Sequence, residues 1–142
     1  MKKFITHSSY ETQEIAEKLA KGFKKGVIAL SGNLGSGKTT FTQGFAKGLG
    51  IKDKIISPTF VLIRQHKIPS SKRILFHVDL YRLENTNQMK SLGLKDLLNN
   101  PNAIVLIEWA EKAKDLLSKN SIVIELKIIG QNKREIKIFN IS

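Results

Sequence analysis

The sequence of 142 residues contains no cysteine, which excludes disulfide bonds and metal sites built from thiolates. Its three histidines, His7, His66 and His77, are scattered along the chain, so a structural zinc site has no ligand set. No apolar run approaches the roughly 18 residues that a membrane-spanning helix needs. The N-terminus turns polar within a few residues, unlike a secretory signal. We expect a cytoplasmic protein that makes no membrane contact.

Acidic residues are scarce, with 12 Asp and Glu against 24 Lys and Arg, and the formal net charge is +12. Such a chain attracts nucleic acids, acidic proteins and nucleotides. The lysines are spread along the whole sequence, as on a solvated surface, and no RNA- or DNA-binding module accompanies them. The charge alone therefore does not predict specific nucleic-acid recognition.

Hydrophobic residues make up 41% of the chain, enough for one core and one domain over residues 1–142. Ser8 and Glu11 form a capping-box pattern before the first helix. Helical spacing is found over residues 9–24, 38–49, 85–100 (broken at Gly93) and 110–117. Extended runs cover residues 4–6, 27–30, 60–65, 74–79, 103–107, 121–129 and 135–141. The third and fourth runs, separated by the turn PSSK, predict a hairpin or neighbouring strands, and the last two runs predict a terminal hairpin.

A glycine-rich stretch matches the phosphate-loop pattern G-x-x-x-x-G-K-[ST], with Gly32, Gly37, Lys38 and Thr39 at its defined positions. It follows a buried apolar run and begins an amphipathic helix. A phosphate loop needs this order of strand, loop and helix, whereas an ordinary glycine-rich turn does not. The loop amides and the positive end of the helix can surround phosphates. Lys38 would neutralise the outer phosphates, and the Thr39 hydroxyl would bind Mg²⁺. The order of elements predicts a three-layer α/β domain of the P-loop NTPase fold, with a mostly parallel central sheet and a C-terminal antiparallel hairpin.

Two acids, Asp79 and Glu108, end the apolar runs ILFHVD and AIVLIE. Mg²⁺ usually takes one or two carboxylates and keeps several waters. We expect Glu108 to bind the metal, and Asp79 to act from the outer shell or to position water. Thr59, in the segment SPTF, is a second candidate for contact with metal or water, although a plain turn fixed by Pro58 explains that segment equally well. For Trp109, the residue type alone favours a core position over one near the nucleotide.

Four motifs occur in one order along the chain: GNLGSGKTTF (residues 32–41), SPTF (57–60), HVDLYRL (77–83) and IEWAE (107–111). The set resembles the TsaE family, also called YjeE, which comprises small bacterial ATPases of tRNA threonylcarbamoyladenosine synthesis. The resemblance covers nearly the whole chain. The combination of four motifs is far more specific than the phosphate loop alone.

The resemblance implies an ATPase that binds ATP and Mg²⁺ and works with the TsaB and TsaD proteins. Those partners transfer a threonylcarbamoyl group to the adenosine beside the anticodon in tRNAs that read codons beginning with A. ATP binding and hydrolysis by TsaE-like proteins would support repeated turnover of the complex. Contact with tRNA would then occur through the complex.

The resemblance also implies site residues. The metal positions of the family fall on Thr39 and Glu108. The acid of its HxDxYR motif falls on Asp79, and we predict catalytic roles for Lys38, Asp79 and Glu108. Its nucleotide contacts in the phosphate loop fall on Gly35, Ser36, Gly37, Lys38, Thr39 and Thr40.

Further family positions lie outside the loop. A threonine near the base falls on Thr12, and a basic residue near the nucleotide falls on Arg134. Two departures are visible: Asn33 stands where the family usually has an acid, and His66 where a tyrosine commonly follows SPTF. Asn33 removes a charge near the phosphates, which bears on the hydrolysis rate more than on binding.

Three other functions share some of these features. A small-molecule kinase needs the same loop but usually adds an arginine-bearing lid, and the four arginines here are dispersed. A GTPase needs an N-K-x-D guanine reader, whereas residues 132–135 read NKRE in a predicted hairpin turn. A basic binding module could use the nucleotide only to stabilise its fold. Hydrolysis of this kind usually needs an arginine that stabilises the transition state. The nearest candidate in a motif is Arg82, which can equally pair with an acid of its own. We therefore expect slow hydrolysis by the isolated protein.

Overall fold

The computed structural model describes residues 1–56, 63–83, 87, 93–118 and 120–140. The strands are β1 (Lys2–Thr6), β2 (Gly26–Ser31), β3 (Ile63–Lys67), β4 (Ile74–Asp79), β5 (Ala103–Glu108), β6 (Ile122–Ile128) and β7 (Arg134–Asn140). The helices whose bounds lie in the described ranges are α1 (Ser9–Lys21), α2 (Lys38–Gly48), α3 (Leu94–Leu98) and a 3-10 helix (Ala110–Leu116).

The strands form one seven-stranded sheet in the order β1-β7-β6-β2-β5-β4-β3. Strand β2 is parallel to β6 and β5, and β5 is parallel to β4. The other three pairs, β1-β7, β6-β7 and β3-β4, are antiparallel. The prediction of a mostly parallel sheet is therefore wrong, because the sheet is mixed. The short turns after β3 and after β6 can join only antiparallel neighbours. These pairs confirm the C-terminal hairpin and the pairing of the third and fourth extended runs.

The four central strands bring distant sequence segments to one edge of the sheet. Leu30, next to the last residue of β2, pairs with Glu108 at the end of β5, and Asp79 at the end of β4 pairs with Glu108 from the other side. Parallel strands place their carboxyl ends at the same edge, where α/β proteins bind ligands. Both predicted acids thus lie beside the start of the glycine-rich loop.

Helices cover both faces of the central sheet, as the three-layer prediction expects. Ile28 and Leu30 pack with α1 and α2 in one apolar cluster. Val27 and Ala29, which alternate with them along β2, pack on the opposite side in a cluster that includes the 3-10 helix. Burial on both faces explains why this strand is a continuous apolar run. No helix in the described ranges is long and apolar enough to cross a membrane.

Several predicted boundaries shift by a few residues. Helix α1 ends at Lys21, not at residue 24, because Gly22 caps it with its N–H directed to carbonyls of the last turn. At the other end, Ser8 Oγ accepts the Glu11 N–H at 3.1 Å, as the capping-box pattern predicts. The helical segment near Ala110 is a 3-10 helix.

Two predicted segments are described only in part. Of the helical segment predicted over residues 85–100, the structure describes α3, which begins after Gly93, and most residues between 84 and 92 lie outside the described part. The extended run over residues 60–65 is seen as β3, which begins at Ile63. The SPTF segment, with Thr59, also lies outside the described residues.

Replacing Gly44 with alanine should destabilise the fold, because α1 and α2 touch there through their backbones. A Cβ at Gly44 would lie 2.4 Å from the Gln13 carbonyl oxygen. Such overpacking lowers the free energy of unfolding by about 1–3 kcal/mol, and urea titration would measure this change. Gly22→Ala is the matched control, since a Cβ there meets no atom within 4 Å. Equal stability of the two variants would contradict this account of the helix contact.

Candidate nucleotide-binding site

The glycine-rich loop connects the end of β2 to the start of α2. Gly32 has φ 149° and Gly37 has φ 105°, values that favour glycine. At Gly32 the space is also closed, since a Cβ would lie 2.5 Å from the Leu126 carbonyl oxygen. Among the described residues, no side chain caps α2, whose N-cap is Gly37. The first N–H groups of the helix can therefore donate to an anionic ligand.

Lys38 lies folded across this loop. Its ammonium group donates to the carbonyl oxygens of Gly32 at 2.6 Å and Asn33 at 3.1 Å. It also lies 4.0 Å from the centroid of the Trp109 ring, a cation–π distance. Trp109 is half-buried and packs against the core as well, so it is both a core residue and a neighbour of the predicted phosphate site.

Burial lowers the pKa of Lys38 below its ordinary value of 10.5. Three nearby carboxylates, of which Glu108 acts most strongly, favour the charged form but do not offset the burial. The neutral form of Lys38 therefore appears at a lower pH than for an ordinary lysine.

As the pH rises, nucleotide affinity should begin to fall at a lower pH than it would with a lysine of ordinary pKa at this position. Phosphates stabilise the charged form and raise the pKa of Lys38, so binding takes up protons and becomes weaker as the free protein loses them. Calorimetry of ATP binding in buffers of different ionisation enthalpy would measure this uptake. Lys38→Arg keeps its charge over that range and should show a flatter profile. Identical profiles for the two proteins would contradict the prediction.

Glu108 connects the loop helix to the sheet. Thr39 Oγ1 donates to Glu108 Oε1 at 3.3 Å, and the other carboxylate oxygen, Oε2, contacts His77 Nε2. Both Glu108 and His77 are buried. Asp79 lies beside Glu108 in the sheet register and accepts the Tyr81 N–H at 2.9 Å. The two predicted acids and the predicted metal-binding hydroxyl thus meet at one place.

The donor set at this place fits Mg²⁺ in part. The Thr39 hydroxyl and the Glu108 carboxylate are oxygen donors of the kind this ion prefers. Within the described ranges, no group of three or more His, Cys, Asp and Glu side chains could hold a metal by itself. A magnesium ion here would need further ligands from phosphates and water, as is usual for this ion in nucleotide sites.

A pocket of about 160 Å³ opens beside the loop. Arg134 reaches it from β7, and its Nη2 donates to the Gly35 carbonyl oxygen at 3.1 Å. The hydroxyl groups of Thr12 and Thr6 are hydrogen-bonded, with 2.9 Å between their oxygens. The pocket is lined by Ser8, Ser9, Thr12, Gly35, Gly37, Thr40, Asn132 and Arg134.

The predicted site residues are brought together in these two adjoining places, and their roles stay predictions. Ser36 of the loop is buried, and its Oγ has no hydrogen-bond partner in the described part of the chain. Sequence reasoning assigned no role to His77 or Asn132. His77 had a signal, since alternation along β4 places it on the same face as Asp79. Asn132, in a hairpin turn, had none.

Comparison with known proteins gives consistent results. The family model described as threonylcarbamoyl adenosine biosynthesis protein TsaE matches residues 6–136. The tRNA threonylcarbamoyladenosine biosynthesis protein TsaE of Bacillus subtilis is 38% identical over 135 residues, which cover 94% of this chain and 82% of that protein. The protein of the same name from Aquifex aeolicus is 34% identical over 142 residues, covering 98% and 96%.

The fold is also shared with a solved structure. The crystal structure of Bacillus subtilis YdiB superposes with a TM-score of 0.82 at 33% sequence identity, covering 99% of this chain and 86% of that one. The family match, the relatives and this structure confirm the resemblance that the four motifs predict. The chain belongs to the TsaE family.

Proposed function

We propose that this protein is a Mg²⁺-dependent ATPase that supports the formation of threonylcarbamoyladenosine in tRNA, and that it acts in the cytoplasm. The tRNA modification role is supported by the family and by the names of its relatives. The ATPase activity is supported chiefly by one observation: Thr39 of the loop helix contacts Glu108 of β5 at 3.3 Å, directly beside Lys38. This arrangement suits a triphosphate with its metal ion.

The triphosphate would lie along the glycine-rich loop. The free N–H groups at the start of α2 would donate to phosphate oxygens, and Gly35, Ser36 and Gly37 would supply further contacts from the loop. Lys38 would exchange its carbonyl partners, Gly32 and Asn33, for the outer phosphates. In the bond to phosphate both partners are charged, so it gains a Coulomb attraction that a neutral carbonyl acceptor does not supply.

Thr39 and Glu108 would hold Mg²⁺. When bound, the ion supplies positive charge to the terminal phosphoryl group. Asp79 lies beside Glu108 in the register and would orient the attacking water. Phosphoryl transfer depends mainly on such positioning and on electrostatic stabilisation.

The nucleoside would occupy the pocket beside the loop. Its lining offers hydroxyl groups from Thr12 and Thr40, the Asn132 amide and the Arg134 guanidinium. These groups can donate and accept hydrogen bonds to a ribose and a base. Because Arg134 also donates a hydrogen bond to the Gly35 carbonyl oxygen, this side of the pocket is attached to the glycine-rich loop.

The partners would be TsaB and TsaD family proteins, with tRNA contacted through their complex. The net charge of +12 would speed association with acidic surfaces and with nucleic acid. Hydrolysis by the isolated chain would be slow, because such ATPases commonly need an arginine that stabilises the developing charge. A partner can supply it.

The test is ATP hydrolysis by the purified full-length chain, alone and after addition of TsaB, TsaD and substrate tRNA. We expect a slow, Mg²⁺-dependent rate that the partners increase. ATP binding without any turnover, even with partners and tRNA present, would favour a nucleotide-stabilised binding module. An unchanged rate with partners would contradict the pathway assignment and call for a screen of phosphate acceptors, as for a small-molecule kinase.

A further inference from the structure

We infer that His77 is a positioning residue, which holds the Glu108 carboxylate in the orientation that the metal site needs. The inference rests on the proposed function. His77 Nε2 contacts Glu108 Oε2, while Glu108 Oε1 accepts the Thr39 hydroxyl at 3.3 Å. A carboxylate can only accept, so His77 donates its Nε2–H. The two oxygens of one carboxylate are thus used by two different elements.

Strand register explains how the contact arises. His77 pairs with Leu106, and Asp79 pairs with Glu108, on the parallel strands β4 and β5. His77 and Glu108 are therefore diagonal neighbours on one face of the sheet, a separation that a long side chain spans. Each partner belongs to a rigid central strand, which makes the position of the imidazole well defined.

The cost of burying His77 argues that this bond has a purpose. The imidazole is fully buried, and its Nδ1 has no hydrogen-bond partner within the described residues. A buried polar group without a partner destabilises a fold. An apolar side chain would fill this space without that cost. The contact with Glu108 is what an apolar residue could not provide.

The consequence concerns the freedom of the Glu108 carboxylate. With Oε2 held by His77, Oε1 stays turned towards Thr39, so the two proposed metal donors lie side by side. Without His77, the carboxylate can rotate, and Oε2 loses its buried donor. Carboxylates that bind metals are commonly oriented by such hydrogen bonds, and losing one typically costs about 10- to 100-fold in metal affinity.

The test compares His77→Gln with His77→Asn. The longer Gln amide can place an N–H near the position of Nε2, whereas the shorter Asn amide cannot reach Glu108. ATP affinity is measured in EDTA and then over a Mg²⁺ titration, and Mn²⁺ binding is followed by electron paramagnetic resonance. Val78→Ala, a buried change at the neighbouring position of β4, is the control for general destabilisation.

We expect His77→Asn to bind ATP normally in EDTA but to require about 10- to 100-fold more Mg²⁺ for half-saturation. His77→Gln should restore most of the wild-type value, and Val78→Ala should lose stability without a change in Mg²⁺ dependence. Wild-type Mg²⁺ dependence in His77→Asn would overturn the inference, and so would equal impairment of a folded His77→Gln. If Mg²⁺ did not change the ATP affinity of the wild-type chain, the proposed metal site would be rejected, and the inference with it.

Discussion

Lys38→Ala is expected to abolish measurable ATP hydrolysis and to weaken ATP binding by about 30-fold to several thousand-fold. Removing one partner of a desolvated charge pair costs about 2–5 kcal/mol, and each 1.4 kcal/mol is a factor of ten. Lys38 is buried at the start of α2, with 6% of the residue exposed. A fluorescent ATP analogue would report binding, and phosphate release would report hydrolysis.

The loss should be specific to nucleotide chemistry. The variant gives up two bonds to loop carbonyl oxygens but also removes a desolvated charge, so its stability should change little. Lys47→Ala is the control, since Lys47 is an exposed lysine in the last turn of the same helix. Normal ATPase activity in Lys38→Ala would contradict the assignment of the site.

Glu108→Ala is expected to lower Mg²⁺-dependent hydrolysis about 100-fold or more, while ATP binding in EDTA is retained. The metal contributes several kcal/mol of charge stabilisation to the transition state, and each 1.36 kcal/mol is a factor of ten in rate. Glu108 is the carboxylate that contacts Thr39, so removing it leaves the ion without its acidic ligand. Hydrolysis over a Mg²⁺ titration is the measurement.

Glu108→Ala also leaves His77 and Thr39 without their partner, and some destabilisation is expected. Glu108→Gln separates the two effects, because a carboxamide can still hydrogen-bond both neighbours but carries no charge for the ion. We expect Glu108→Gln to fold like the wild type and still to lack Mg²⁺-dependent turnover. Glu14→Ala, which removes an exposed acid on α1, is the control. Unaltered Mg²⁺ dependence in both Glu108 variants would exclude this residue as the ligand.

The local parts of this molecule were readable from the sequence. The phosphate-loop pattern depends on nearby residues, so the loop with Gly32, Gly37 and Lys38 between a strand and a helix could be predicted from spacing alone. The start of α1 was equally local, because Ser8 caps the N–H three residues later. The terminal hairpin followed from two alternating runs separated by a short turn.

The main error concerned the sheet, which was predicted to be mostly parallel but has three antiparallel pairs among its six. The pairs β3-β4 and β6-β7 are local and follow from the sequence, whereas the pair β1-β7 joins distant segments. Such pairing depends on which edge a hairpin joins, and short-range patterns carry no information about that choice. The sequence pattern also predicts only a short helix after β5, where the structure has a 3-10 helix, because 3-10 and α turns differ little in side-chain spacing over so few residues.

By itself, the sequence determined the glycine-rich loop pattern, the two acids that end apolar strands and the family, because these depend on residue types at fixed spacings. Only the tertiary structure decided that Thr39 contacts Glu108 across 69 residues and that Arg134 reaches Gly35 across 99. It also showed that His77 lies behind the Glu108 carboxylate. The physical reason is that such contacts follow from strand order and register, which the whole core determines together rather than any one segment.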